Sequence, residues 1–188
     1  MEVYLITGNK NKVAEFERVL GGKVNHVALD LDELQGMDGD VISEHKVKQA
    51  YAQIKKPVIV VDQKLEIACL NGFPGPLIKW FWETIGLEKI CRIVDCFDDR
   101  SVIARNTLTY YNGQELKHFY AEAKGQVDDH PKGHTGFGWD PIFIPEGETK
   151  TYAELGVKNP HYHETYTVVI EEFKKFLETK DYSLLVDD

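Results

Sequence analysis

Short apolar runs alternate with amphipathic stretches along the chain, and the period of the pattern changes several times. Val3-Tyr4-Leu5-Ile6 has the compact apolar character of a buried strand, and Thr7-Gly8-Asn9 behind it is turn and helix-capping chemistry. Val13, Phe16, Val19 and Leu20 then recur at helical spacing until Gly21-Gly22 stops them. The opening motif is therefore strand, polar turn, helix. Lys23 to Leu29 alternates as a second strand and runs into the acidic loop Asp30 to Gly36. Ser43 reads as the N-cap of a helix with Val47, Ala50, Tyr51 and Ile54 on one face. Pro57 to Val61 is β-branched and bounded by Pro and Asp, which predicts a central strand with Asp62 at its carboxyl end.

Leu65 to Leu70 predicts another strand, Asn71 to Pro76 a tight loop, and Leu77 to Ile85 and Leu87 to Val94 two short helices. Ser101 to Tyr111 and Gln114 to Gln126 are long β-rich runs joined at Asn112-Gly113, the strongest hairpin signal in the chain. Gly133 to Asp140 carries three glycines in six residues and is too costly in entropy for a regular element. Pro141 to Pro145 predicts a short edge strand, and Val168, Val169, Phe173, Phe176 and Leu177 a last amphipathic helix. Lys180 to Asp188 reads as a loose tail. The pattern predicts an α/β fold with a mixed sheet in one domain, residues 1–188.

Composition narrows this. The 188 residues fit a domain prior of roughly 150 residues. Cys69, Cys91 and Cys96 are an odd number without zinc-knuckle spacing, so a reduced, cytoplasmic protein is expected. No apolar run approaches the roughly 18 residues of a membrane span, and the first residues lack signal-peptide character, so no membrane partner is expected. A formal charge of −9 opposes binding to nucleic-acid polymers. A small phosphate ester would need local lysines or a divalent metal.

Several segments could carry chemistry. Thr7 to Lys12 sits at a strand-to-helix junction, where free N–H groups, the helix dipole, Lys10 and Lys12 attract anions; a capped helix with solvated lysines is the plain alternative. Asp32, Glu33, Asp62 and Asp140 are carboxylates at element ends, suited to Mg2+ or to orienting water, or simply solvated. Phe137 and Trp139 flank Gly138 as either a stacking platform for a base or two core plugs. His161 and His163 have i, i+2 spacing but no zinc-site context.

In their order and spacing, TGNKNKVAEF at 7–16, LNGFPGPLIKWF at 70–81, GFGWDPIFIPEG at 136–147 and TYAEL at 151–155 resemble the inosine triphosphate pyrophosphatase family. The resemblance runs from Val3 to about Phe176. It implies an elongated, two-lobed α/β fold with a long central mixed sheet flanked by helices, an active cleft between the lobes, and a homodimer. It implies hydrolysis of a non-canonical purine nucleoside triphosphate to monophosphate and pyrophosphate with Mg2+, Mn2+ being the alternative ion. By the same resemblance Thr7, Asn9, Lys12 and Lys46 would hold phosphates, Glu33 and Asp62 the metal, and Asp62 would activate water. Phe137 would stack on the base, with Trp139, Asp140, Lys158 and His163 completing its pocket.

Two departures stand out. The family has an acidic pair followed by Ser or Thr after the central strand, where this chain reads Val61-Asp62-Gln63; the loss of a carboxylate is expected to weaken metal binding. The family has Ser-His-Arg where this chain reads Tyr162-His163-Glu164. Arg donates to a 6-oxo group and ionised Glu only accepts, so altered base selectivity is expected at Glu164. A nucleotide-binding protein that has lost turnover is the alternative function.

Overall fold

The computed structural model describes residues 2–180 and 182–186. Its elements are β1 (Tyr4–Ile6), α1 (Lys10–Leu20), β2 (His26–Val27), α2 (Gly39–Ile54), β3 (Val58–Ile67), β4 (Pro74–Gly75), α3 (Ile78–Ile85), α4 (Leu87–Val94), β5 (Ser101–Tyr111), β6 (Leu116–Val127), β7 (Phe143–Pro145), α5 (Tyr152–Leu155) and α6 (Glu164–Glu178). The seven strands form one mixed sheet in the order β2-β1-β3-β5-β6-β7, with β4 on β3. β1 pairs in parallel with β2 and β3, whereas β3–β4 and β6–β7 are antiparallel. The fold is α/β with a mixed sheet, as the pattern predicts. Among the described residues no helix is long and apolar enough to cross a membrane.

The largest correction concerns β3. The two strands expected at 57–61 and 65–70 are one strand of ten residues, Val58–Ile67, followed by a 3-10 turn at Ala68–Leu70. The polar trio Asp62-Gln63-Lys64 reads as a strand end, yet its residues are half-buried and the ladder continues through them. Asp62 is therefore mid-strand. Its parallel neighbour β1 stops at Ile6, and the last register pair between them is Leu5 with Ile59. Asp62 thus emerges just past the carboxyl end of β1, the place where parallel sheets leave a crevice for ligands.

Other boundaries also shift. β2 covers only His26–Val27, shorter than the alternation predicts. α2 is capped by Asp38, whose carboxylate accepts the N–H groups of Asp40 and Val41 at 3.1 and 3.2 Å; Ser43 lies inside the helix and not at its start. The β5–β6 connection is a four-residue loop held by Asn112, which accepts the N–H groups of Gln114 and Glu115. Gly113 is required there, because its φ is 96° and a Cβ would collide with the Tyr51 ring. The expected loose tail is pinned over 182–186: the Val3 N–H donates to the Ser183 carbonyl at 2.7 Å, the Asn25 N–H to Leu184 at 2.9 Å, and Leu184 is buried. Residues 181, 187 and 188 of that tail lie outside the described residues.

The chain divides into two compact units. The first comprises residues 1–62, 106–121 and 166–188. One part of its core gathers Ile6, Val47, Ala50, Val58 and Val60, and another packs Tyr110, Phe119, Phe173 and Phe176 ring against ring. The second comprises 63–105 and 122–165, around Leu65, Ile67, Ile90, Val94, Trp139, Phe143 and Tyr152.

Candidate active site

In the first unit the chemistry converges on Asp62. Consecutive strand residues face opposite sides, so Val60 and Asp62 share the α2 side of β3, while the Val61 side chain is buried on the other. α2 supplies two partners one turn apart: the Ser43 hydroxyl donates to Asp62 Oδ2 at 2.9 Å, and Lys46 Nζ donates to Oδ1 at 2.7 Å. From α1, Lys12 Nζ donates to the Val61 carbonyl at 2.5 Å. Position 61 offers no carboxylate but does offer a main-chain oxygen, and Lys12 takes it.

Burial pushes the Asp62 carboxyl up, but Lys12, Lys46 and the Ser43 hydrogen bond outweigh it and hold the group below its ordinary value. The carboxylate is thus ionised across the neutral range. About a quarter of its side-chain surface is exposed, and Ser43 and Lys46 occupy only two of its roughly four lone-pair directions. It retains hard-oxygen donor capacity of the kind Mg2+ or Mn2+ takes.

The remaining candidates of this unit lie at the ends of elements. Thr7 Oγ1 accepts the Asn9 N–H at 3.1 Å, and Asn9 caps α1 by accepting the Asn11 N–H at 2.9 Å. α1 has no acid in its first turn, so its dipole end carries no competing negative charge. Glu33 is exposed on the acidic loop.

The second unit holds a buried aromatic and acidic cluster. Asp140 Oδ2 accepts the Phe137 N–H at 2.6 Å and lies 3.0 Å from His163 Nε2, which therefore carries a proton. His163 is 1% exposed, stacked on Tyr162 at 3.9 Å between centroids and edge-on to Tyr152 and Phe137. Its backbone is left-handed, φ 49°, an uncommon state for a residue with a Cβ and one kept in place by packing on every side. Gly136 has φ 79°, and a Cβ there would strike the Asp140 carboxylate. The glycine loop is thus shaped to let Asp140 reach the Phe137 backbone, which leaves the Phe137 ring half-buried.

Trp139 sits at 5% exposure in the core against Phe143 and Tyr152, the core-plug arrangement. Lys158 is exposed. Glu164 opens α6, where a carboxylate suits the helix dipole, with its Oε2 3.4 Å from His161 Nδ1. Ser43, expected only as a cap, is a site residue that the sequence reading missed; the signal available was its spacing of three from Lys46 on one helix face.

Tyr152 adds a check on this cluster. Its hydroxyl is buried and has no hydrogen-bond partner among the described residues. Burial, reinforced by the Glu164 and Asp140 carboxylates, raises its pKa and keeps the phenol neutral. An unpaired buried hydroxyl costs about 1–3 kcal/mol, so Tyr152→Phe should leave the urea midpoint unchanged or raise it. A lowered midpoint would mean that the hydroxyl has a partner.

Residues 3–176 match the model of the Ham1 family. A protein named inosine triphosphate pyrophosphatase from Batrachochytrium dendrobatidis is 39% identical over 184 residues, covering 95% of each chain. The chain belongs to the Ham1 family. A protein named dITP/XTP pyrophosphatase from Saccharolobus solfataricus is 32% identical, again over 95% of both chains. Among solved structures, the Staphylococcus aureus Ham1 protein superposes with a TM-score of 0.81 over 96% of this chain and all of its own, at 23% identity. A HAM1 protein from Coxiella burnetii gives 0.82 over 95% and 99% at 22% identity. At those identities the structures establish the Ham1 fold, and the sequence relatives establish the family.

Proposed function

We propose that this Ham1-family protein is a nucleoside triphosphate pyrophosphohydrolase, cleaving its substrate to the nucleoside monophosphate and pyrophosphate. The observation that carries the reading is an ionised carboxylate, Asp62, bracketed by Lys12 and Lys46 beside the acid-free N-terminus of α1. Relatives named as inosine triphosphate and dITP/XTP pyrophosphatases support the same reaction.

In this reading Thr7, Asn9, Lys12 and Lys46 meet the phosphates, and Glu33 and Asp62 hold a divalent ion, Mg2+ or Mn2+. When bound there, such an ion would supply neutralisation of phosphate charge. Asp62 orients the hydrolytic water and accepts its proton. Lys46 and Ser43 keep that carboxylate in one orientation before the substrate arrives, which is where most of the rate in such a reaction originates. Phe137 stacks on the base, its backbone held by Asp140 and its ring edge-on to His163, and Trp139 and Lys158 complete the base pocket. Glu164 accepts and does not donate, so it disfavours a 6-oxo purine and favours a base presenting N–H groups. A cytoplasmic homodimer completes the reading.

Pyrophosphate release from ITP, XTP, GTP and ATP with Mg2+ tests both levels. Release from any of them, with the monophosphate as the other product, is the expected result. Tight binding without release would favour the binding-only alternative that Val61 suggests. A strong ITP and XTP preference would remove the selectivity assigned to Glu164 while leaving the reaction intact.

A further inference from the structure

α2 does more than position Lys46. Ser43, Lys46, Gln49 and Gln53 follow one another at spacings of three, three and four, so they form one stripe along the helix. Ser43 and Lys46, at its beginning, hold Asp62. Further along, Gln49 Oε1 accepts the Asp32 N–H at 3.0 Å, Gln49 Nε2 lies 3.5 Å from Asp32 Oδ2, and Gln53 Nε2 lies 3.5 Å from the Asp30 carbonyl. The stripe therefore ties the strand bearing Asp62 and the loop bearing Glu33 to a single rigid element.

The orientation of the Gln49 amide follows from chemistry. A backbone N–H can only donate, so Oε1 must face Asp32, which turns Nε2 toward His45 Nε2. His45 then presents its lone pair from that nitrogen and keeps the amide from flipping. The loop has few other anchors. Leu29 and Leu31 pack partly into the core, but Asp32, Glu33, Leu34 and Gln35 are all exposed.

We propose that Gln49, oriented by His45, is a positioning residue that fixes the acidic loop at Asp32 and thereby sets how tightly Glu33 and Asp62 together hold a divalent cation. The inference rests on the reading of Glu33 and Asp62 as the metal ligands. Groups that orient a ligand from behind typically account for 10–100-fold in metal affinity. Gln49 acts on the backbone next to Glu33, so an effect of about tenfold is expected.

Mn2+ binding to the full chain, followed by electron paramagnetic resonance with a triphosphate analogue carrying an α,β-methylene bridge, reads the effect directly. Gln49→Met keeps the side-chain length and removes the amide's contacts with Asp32 and His45. The expected result is Mn2+ binding about tenfold weaker, an equally raised Mn2+ concentration for half-maximal activity, and little change in the rate at saturating Mn2+. A general structural defect would instead lower the saturated rate and the urea midpoint together. A glutamyl endopeptidase supplies a second readout, with faster cleavage after Glu33 in Gln49→Met than in the parent. Parental Mn2+ binding and parental cleavage in Gln49→Met, with Mn2+ binding lost in Glu33→Gln, overturn the role of Gln49 alone. Parental Mn2+ binding in Glu33→Gln overturns the ligand reading and this inference with it.

Discussion

Replacing Asp62 by Asn is expected to lower turnover by about 10³-fold while leaving the fold intact. Asn is nearly the same size and can still accept the Ser43 hydroxyl, and the site is a quarter exposed, so no cavity or deeply buried unpaired group results. What disappears is the charge. On the proposed reading water would lose its proton acceptor and a cation a hard ligand, and Lys12 and Lys46 are left without the anion between them. That last change separates this prediction from a simple binding defect: metal-free affinity for a non-hydrolysable triphosphate should be unchanged or tighter, because a negative charge is removed and Lys46 loses its carboxylate partner. Single-turnover pyrophosphate release and calorimetric titration of the analogue are the two measurements. A variant within tenfold of the parent rate would eliminate Asp62 as the reacting carboxylate.

The same residue gives a pH signature. The folded-state pKa of Asp62 lies below its ordinary value of 3.8. The stability it contributes is therefore fully present above that value and is lost as pH falls through the lowered one. Acid unfolding of Asp62→Asn should depend less steeply on pH in that range than acid unfolding of the parent, and the two should run parallel near neutrality.

The helices and the hairpin were legible because their signals are local. α1 ends where Gly21 takes φ 73°, and Asn112 builds its turn from its own side chain. β3 was not legible as one strand, because Asp62-Gln63-Lys64 looks like a boundary in the sequence although the strand runs through it half-buried. Asp38 won the cap over Ser43 for a comparable reason: both are capping residue types, and tertiary contact with Asp62 decided which one stayed inside the helix. At the candidate site, Lys12 bonds the Val61 carbonyl and Lys46 the Asp62 carboxylate, and Asp140 contacts the Phe137 backbone and His163. The contributions of Ser43 and Gln49 depend on what faces α2, which periodicity along one helix does not contain. Trp139 shows the opposite limit. Two aromatics around a glycine leave platform and plug equally open, and only the packing of Phe143 and Tyr152 resolves it.

Asp140→Ala is expected to cost about 3–5 kcal/mol of stability, the largest loss among the polar substitutions considered for this chain. The carboxylate and the imidazole of His163 are 2% and 1% exposed as side chains, so neither has water to fall back on. One oxygen of Asp140 receives both the Phe137 N–H and the His163 Nε2 proton. Truncation removes the acceptor that both donors share and leaves a void beside Gly136. His163 also loses the contact that helps keep its left-handed backbone in place. Asp140→Asn retains an acceptor for one donor and should cost less, about 1–3 kcal/mol. Urea unfolding with linear extrapolation measures both values, and a loss under 1 kcal/mol in the Ala variant would mean that the cluster is not the clasp described. Adding His163→Ala to Asp140→Ala should cost less than the sum of the two single changes, because both remove the same contact. On the proposed role of Phe137 in stacking on the base, unclamping its backbone should raise KM more than it lowers kcat.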